Sequence, residues 1–281
     1  MTIPFYVAPE QLVRDKAEFA RKGIARGRSI VAVDFAEGVL LLAENPSKAL
    51  HKISEVYDRI AFAGVGKYNE FETLRKAGIR QADLMGYLYS RDDVTAMGLA
   101  TAFAQTLGMI FTRDPKPYEV EILLAEISED GAEHRLFRVS YDGTLYDERR
   151  YVAIGGKAEQ LVEVLAELWS EGMSLQEAFN AGVEAFRRAE GRESEGWEVA
   201  ILDGGNGRRA FRRLAPGELG DVADAAVERR TSARDRRGLS GFARTHGRGW
   251  NAAGHARACG RALCRRGSSS KRSIAPSSSL F

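Results

Sequence analysis

Residues 29–44 read SIVAVDFAEGVLLLAE. Two apolar runs, Ser29–Phe35 and Gly38–Glu44, flank the two-residue link Ala36-Glu37. Runs of this length, rich in Val, Leu and Ile, read as buried strands, and so short a link joins them as a hairpin. Upstream, PEQLVRDKAEFARKG opens with Pro9, which suits a first helical turn because its missing N–H would have no partner there. Leu12, Val13, Ala17, Phe19 and Ala20 recur at helical spacing, and Gly23 is read as the stop. Residues 1–8 are apolar and aromatic, too short for a core element, and suit an arm that docks on something.

Downstream, Arg59–Gly66 (RIAFAGVG) reads as a third strand, after a polar stretch holding Lys48 and Lys52. Two long helical patterns follow. Tyr68–Tyr89 carries Phe71, Leu74, Ile79 and Leu84 on one stripe, with Gly78 a break point. Asp93–Phe111 carries Val94, Met97, Leu99, Phe103, Leu107 and Ile110 on an apolar face. Strand patterns return at Tyr118–Ile127, His134–Tyr141 and Tyr151–Ile154, with Asp142-Gly143 a tight turn. Helices are expected at Ala158–Trp169 and Ser174–Ala189, the second opened by the capping-box pair Ser174 and Glu177. Trp197–Leu202 reads as a strand, a basic run covers Arg208–Leu214, and Pro216–Val227 is expected to form a last helix.

The order is strands, two helices, strands, two helices, strands. It lacks the strict alternation of a doubly wound parallel sheet. The economical solution is α+β: two antiparallel sheets face to face with a helix pair on each outer side, a four-layer αββα sandwich.

The 281 residues carry a formal charge of +2, and that figure averages two unlike parts. From Arg229 onward 13 Lys/Arg face a single acid, Asp235, a net of +12; residues 1–228 hold 28 basic and 38 acidic side chains, a net of −10. No run approaches the roughly 18 apolar residues of a membrane span, and the N-terminus lacks the pattern of a secretory signal. Both cysteines, Cys259 and Cys264, lie in the basic tail, so the body needs no disulfide framework. A cytoplasmic location fits best.

Chemistry-bearing motifs are sparse. Thr2, exposed by removal of Met1, could act as an N-terminal nucleophile, but it precedes Pro4 and a helix rather than starting a strand, and no lysine lies in the following strand pair. The glycine clusters at Gly64-Val65-Gly66 and Gly204–Gly207 lack the context of a phosphate loop. His51, His134, His246 and His255 form no metal motif, and His255 with Cys259 and Cys264 lacks a fourth ligand. No catalytic residue, metal site or cofactor is expected. Lys52, just before a buried strand, could clamp a carboxylate together with an exposed N–H of Gly64.

Several stretches together resemble the actinobacterial 20S proteasome α subunits, within the N-terminal-nucleophile hydrolase superfamily. They are PFYVAPEQLVRDKAEFARKGIARGRSIV, GVLLLAENPSKALHKISEVYDRIAFAGVGKYNEFETLR, YSRDDVTAMGLATAFAQTLGMIFT, KPYEVEILLAE, and WEVAILD through RRAFRR. The similarity runs in order from about residue 2 to 214. It implies the same sandwich, with residues 9–22 as a helix lying across the cleft where catalytic relatives expose a threonine. The chain is then a non-catalytic subunit of a threonine-type endopeptidase.

The resemblance further implies a seven-membered ring stacked on β subunits, a ring-shaped ATPase activator, and unfolded protein substrates, often tagged with the small protein Pup. Residues 1–8, with Thr2, Ile3, Pro4, Phe5, Tyr6, Val7 and Ala8, match the gate over the axial pore. Lys52 matches the lysine that pairs with the activator's terminal carboxylate, and Gly64 and Val65 match the wall of that pocket. No membrane and no specific nucleic acid is implied.

The resemblance organises the chain as arm 1–8, domain 9–228 and tail 229–281. The tail departs from the polar, acidic ends of the family. Its Arg/Ala/Gly/Ser mixture lacks any helical or strand period and is expected to be disordered, the product of an out-of-frame reading. Were that tail functional, the competing assignment would be a nucleic-acid-binding adaptor whose body serves to oligomerise it.

Overall fold

The computed structural model describes residues 8–47, 49–128, 134–192, 194, 196–215 and 218. Thr2 to Val7, the expected helix 216–227 apart from residue 218, and the tail with its cysteines and two histidines lie outside the described residues.

The opening helix α1 spans Pro9–Ala25, and the quoted hairpin forms β1 (Ile30–Phe35) and β2 (Gly38–Glu44). Next come β3 (Ile53–Tyr57), β4 (Ile60–Gly66), α2 (Tyr68–Leu88) and α3 (Ala96–Arg113). The second half holds β5 (Val120–Ile127), β6 (His134–Val139), β7 (Leu145–Glu148), β8 (Tyr151–Ile154), α4 (Ala158–Leu168), α5 (Leu175–Glu190), β9 (Trp197–Asp203) and β10 (Phe211–Arg213). The strands make two five-stranded antiparallel sheets, ordered β10-β9-β2-β1-β8 and β3-β4-β5-β6-β7.

Alternation along each strand assigns the layers. In β1, Ile30 and Ala32 join the core between the sheets, while Val31, Val33 and Phe35 pack under α4 and α5. In β4, Ala61, Ala63 and Val65 face the other sheet, while Ile60 and Phe62 pack under α2 and α3. Both faces are buried, which is why these strands read as unbroken apolar runs. The result is the αββα sandwich expected from the order of elements. Asp34 of β1 and His134 of β6 hydrogen-bond across the two sheets.

Several local expectations change. A strand, β3, forms at ISEVY, within the polar stretch expected before Arg59; it hairpins onto β4 through Asp58-Arg59, with a register shift between Glu55 and Tyr57. The basic run at 208–214 contributes β10, and β7 follows the turn at Gly143. Gly78 does not break α2. It is buried within the helix, and a Cβ there would stand 2.4 Å from Cζ of Phe103, so glycine permits close approach of α2 and α3. Gly23 likewise lies inside α1, against the Glu119 side chain. The third helix starts not at Asp93 but at Ala96, where the Thr95 hydroxyl caps the Gly98 N–H. The capping box of Ser174 and Glu177 is present at α5.

Helix α1 buries part of the set its periodicity suggested: Ala20 is buried and Ala17 packs against the core, while Leu12, Val13 and Phe19 stay outside. Lys16, Ala20 and Ile24 are buried, with Ala20 and Ile24 closing the inter-sheet core. Lys16 Nζ donates to the carbonyls of Phe111 (3.0 Å) and Asp114 (2.7 Å), satisfying carbonyls at the C-terminal end of α3. Leu12, Val13 and Phe19 remain 50%, 53% and 46% exposed.

Candidate docking site around Lys52

Lys52 lies one residue before β3, where the ends of both sheets meet the segment that links α1 to β1. Register sets the surroundings. Pairing of β2 with β9 places Ala43 opposite Glu198 and Glu44 opposite Trp197, so two acids meet at one end of the sheet, Glu198 on the face toward the other sheet and Glu44 on the face toward α5. Both are buried. Glu44 is held by Arg28 Nη1 at 2.7 Å and by Arg192 at 2.7 and 2.9 Å. Glu198 accepts the backbone N–H groups of Lys52 (2.9 Å) and Ile53 (3.2 Å), the Asn45 amide (2.7 Å) and the Arg213 guanidinium. Burial alone would push the Glu198 carboxyl up. The donors from Lys52, Asn45, Arg213 and Ile53 outweigh it and hold the group below the usual carboxylate range.

The Lys52 ammonium donates to the Arg28 carbonyl at 2.8 Å. Desolvation and the nearby Arg28 charge push its pKa down to about 8, against the opposing pull of Glu198 and Glu44. At neutral pH it is a half-buried cation, only partly balanced, and able to take a carboxylate.

The other two residues named for this pocket sit on β4. The Gly64 N–H does not point free: it donates to the Lys52 carbonyl at 3.1 Å. The direct N–H contact expected from the sequence is therefore already occupied within the chain. A Cβ at Gly64 would come within 2.9 Å of Phe71 Cγ, which explains the glycine by packing. Val65 is buried in the inter-sheet core and reaches the backbone at Gly27, between α1 and β1. The fold thus joins Lys52 to Gly64 by a backbone bond and sets Val65 on the inner side of the same linker. Ala8 is the only described member of the arm; it is exposed, and its carbonyl accepts the Leu12 N–H at 3.1 Å.

The hub residues Glu44, Glu198, Arg28, Arg192 and Arg213 were not singled out from the sequence. The available signal was an acid ending or beginning an otherwise apolar strand, as in GVLLLAE and WEVAILD.

A second cavity, of about 580 Å³, opens beside α1 and is lined in part by Arg21, Glu121, Arg138, Tyr141 and Gly155. Burial raises the Glu121 carboxyl above its ordinary value, opposed by the Gly155 N–H and Arg138. Ser29, at the start of the first strand, is buried, and its hydroxyl accepts the Lys157 N–H. Among the described residues no group of three or more His, Cys, Asp or Glu side chains could hold a metal ion. No described helix is long and apolar enough to cross a membrane.

The profile describing proteasome subunits matches residues 24–202. The chain belongs to the proteasome subunit family. It is 56% identical over 217 residues to the proteasome subunit alpha of Thermomonospora curvata, covering 76% of this chain and 94% of the relative. It is 55% identical over 226 residues to that of Xylanimonas cellulosilytica, covering 76% and 93%. The subunit alpha of Acidothermus cellulolyticus is 53% identical over 229 residues, covering 79% and 98%. As a proteasome subunit the chain is a component of a protease assembly, and its sandwich is that of the family.

Proposed function

We propose that this chain is a non-catalytic α subunit of a cytoplasmic 20S core particle. In this reading it forms a seven-membered outer ring on the β subunits, gates the axial pore with residues 1–8, and docks the C-termini of a ring-shaped ATPase. Substrates are unfolded proteins, including Pup-tagged ones. Residues 9–228 are the ring-forming domain, and the tail from 229 takes no part.

The observation that carries the reading is the covalent and packed continuity of α1 with the first strand. An N-terminal-nucleophile enzyme needs a free α-amine at that strand. Here Ala20 and Ile24 cap the core at that end of the sandwich, and the chain runs on through Gly27 into buried Ser29. The half-buried Lys52 ammonium supports the docking role, since a terminal carboxylate is its natural partner.

Co-expression with a β subunit tests the proposal. The expected product is a particle far heavier than a monomer that hydrolyses peptides, while the isolated chain hydrolyses none. A chain that stays monomeric beside the β subunit, or cleaves peptides alone, would refute it.

A further inference from the structure

Lys52 is a half-buried primary amine whose setting favours its neutral, nucleophilic form. Nζ donates to the Arg28 carbonyl at 2.8 Å and forms no ion pair among the described residues. The acids whose charge reaches it are engaged by other donors. Glu44 takes Arg28 and Arg192, each at 2.7 Å. Glu198 takes Arg213, the Asn45 amide and the backbone N–H groups of Lys52 and Ile53. A lysine desolvated beside another cation is an activated nucleophile. With its pKa near 8, about a tenth of Lys52 is unprotonated at pH 7, against roughly one in three thousand for an ordinary lysine.

We propose that Lys52 is a modification site for dissolved carbon dioxide, which adds reversibly to Nζ and turns the ammonium into a carbamate. The nitrogen lone pair forms the N–C bond, one C=O π pair moves onto oxygen, and Nζ releases a proton to solvent. No oxidant or reductant takes part. One N–H stays on the nitrogen, and the Arg28 carbonyl is placed to go on accepting it.

The new anion arises among guanidiniums. Arg28 is the residue whose carbonyl Nζ touches, and Arg213 shares Glu198 with the Lys52 N–H. Glu44 and Glu198 oppose the anion, but each is already bound by a guanidinium. His51, 2.9 Å from Arg213, is the other titratable neighbour on this side. The functional consequence rests on the docking role proposed above; the modification itself does not. A partner's terminal carboxylate that meets a carbamate in place of an ammonium meets a like charge, so docking weakens as carbon dioxide rises.

Chemical trapping in the full chain tests it. The protein is equilibrated with carbon dioxide and bicarbonate near neutral pH, and triethyloxonium ion ethylates carbamates in place. Peptide mass mapping then locates the acid-stable ethoxycarbonyl group. Labelling at Lys52 should exceed that at exposed Lys76 by at least about tenfold and vanish without carbon dioxide. It should fall severalfold in Arg28→Gln, which keeps the carbonyl and removes the guanidinium, and Lys52→Arg should carry no label at that position. No label at Lys52, equal label at both lysines, or labelling indifferent to Arg28→Gln overturns the proposal.

ATPase-stimulated peptide hydrolysis by the assembled particle reads docking separately, with bicarbonate and carbon dioxide set against chloride at equal pH and ionic strength. Reduced stimulation over an unchanged basal rate supports both ideas. Unchanged stimulation in a particle labelled at most of its Lys52 residues leaves the modification standing and counts against Lys52 as the docking cation.

Discussion

Glu198 of β9 accepts the backbone N–H of Lys52 at 2.9 Å, so a buried carboxylate from one sheet fixes the residue that opens the other. The same carboxylate binds Ile53, Asn45 and Arg213. Its removal strands four donors in a desolvated place. Glu198→Ala is expected to destabilise the domain by about 3 kcal/mol, read by urea unfolding. The Glu198 pKa is lower folded than unfolded, so its stabilisation is complete above the unfolded value of about 4.5. It is lost as pH falls below that value through the folded pKa. The gap between the parent and Glu198→Gln should therefore narrow on acidification; a gap that widens below pH 4.5 would contradict the assignment.

Lys52 titrates the other way. Its folded pKa of about 8 lies below its unfolded value of 10.5. Between these values the unfolded chain holds a proton that the native chain lacks, so Lys52 alone makes stability rise with pH across that window. Docking of a carboxylate needs the protonated form. Stimulation of peptide hydrolysis by the ATPase should fall as pH climbs through about 8, while basal hydrolysis keeps its own profile. Lys52→Ala should abolish stimulation at every pH without disturbing assembly. Normal stimulation of that variant would remove Lys52 from the docking role.

Gly78 separates pattern from packing. As a helix breaker in α2 it would be improved by alanine, by up to about 1 kcal/mol. In the fold its missing Cβ makes room for Phe103, and Gly78→Ala should destabilise by roughly 1–3 kcal/mol through overpacking. Thermal unfolding gives the sign directly.

The same contrast explains what could be read from the chain alone. The sandwich was legible because strands such as SIVAVDF and GVLLLAE are buried on both faces and so carry an unbroken apolar signal. β3 was not, because in ISEVY just Ile53 and Val56 are fully buried while Ser54, Glu55 and Tyr57 are only partly so, which leaves no unbroken apolar run. Lys52 could be picked out by its place and its resemblance, but its partners could not. Glu44, Glu198 and Arg213 come from elements up to 169 residues apart in sequence, brought together by the pairing of β2 with β9 and β9 with β10. On α1 the periodic set Leu12, Val13, Ala17, Phe19 and Ala20 was right for Ala17 and Ala20, but tertiary packing turned Leu12, Val13 and Phe19 outward and buried Lys16 and Ile24 instead. Lysine ranks low as a core residue by composition; two carbonyls at the end of α3 make its burial favourable.

Deleting residues 2–8 tests the gate. If residues 1–8 gate the pore as proposed, the particle should then hydrolyse small peptides faster without any ATPase, while α1, anchored through Lys16, Ala20 and Ile24, keeps its place. Loss of the arm costs the fold little, since Ala8 contributes only a backbone cap. Unchanged basal hydrolysis in a particle of normal mass would count against the gate.

The tail provides the last test. Residues 229–281 carry a net +12 against −10 in the rest of the chain, so any function of the tail should be electrostatic and steeply salt-dependent. In a ring subunit whose contacts reside in the sandwich, truncation after residue 228 should leave assembly, basal hydrolysis and ATPase stimulation intact. It should shift the pI from about 8.5 to the acidic side. Assembly lost on truncation would make the tail part of the ring. Polyanion binding by the full chain at physiological salt, abolished by the same truncation, would revive the adaptor reading. With neither, the −10 of residues 1–228 is the charge that partners meet.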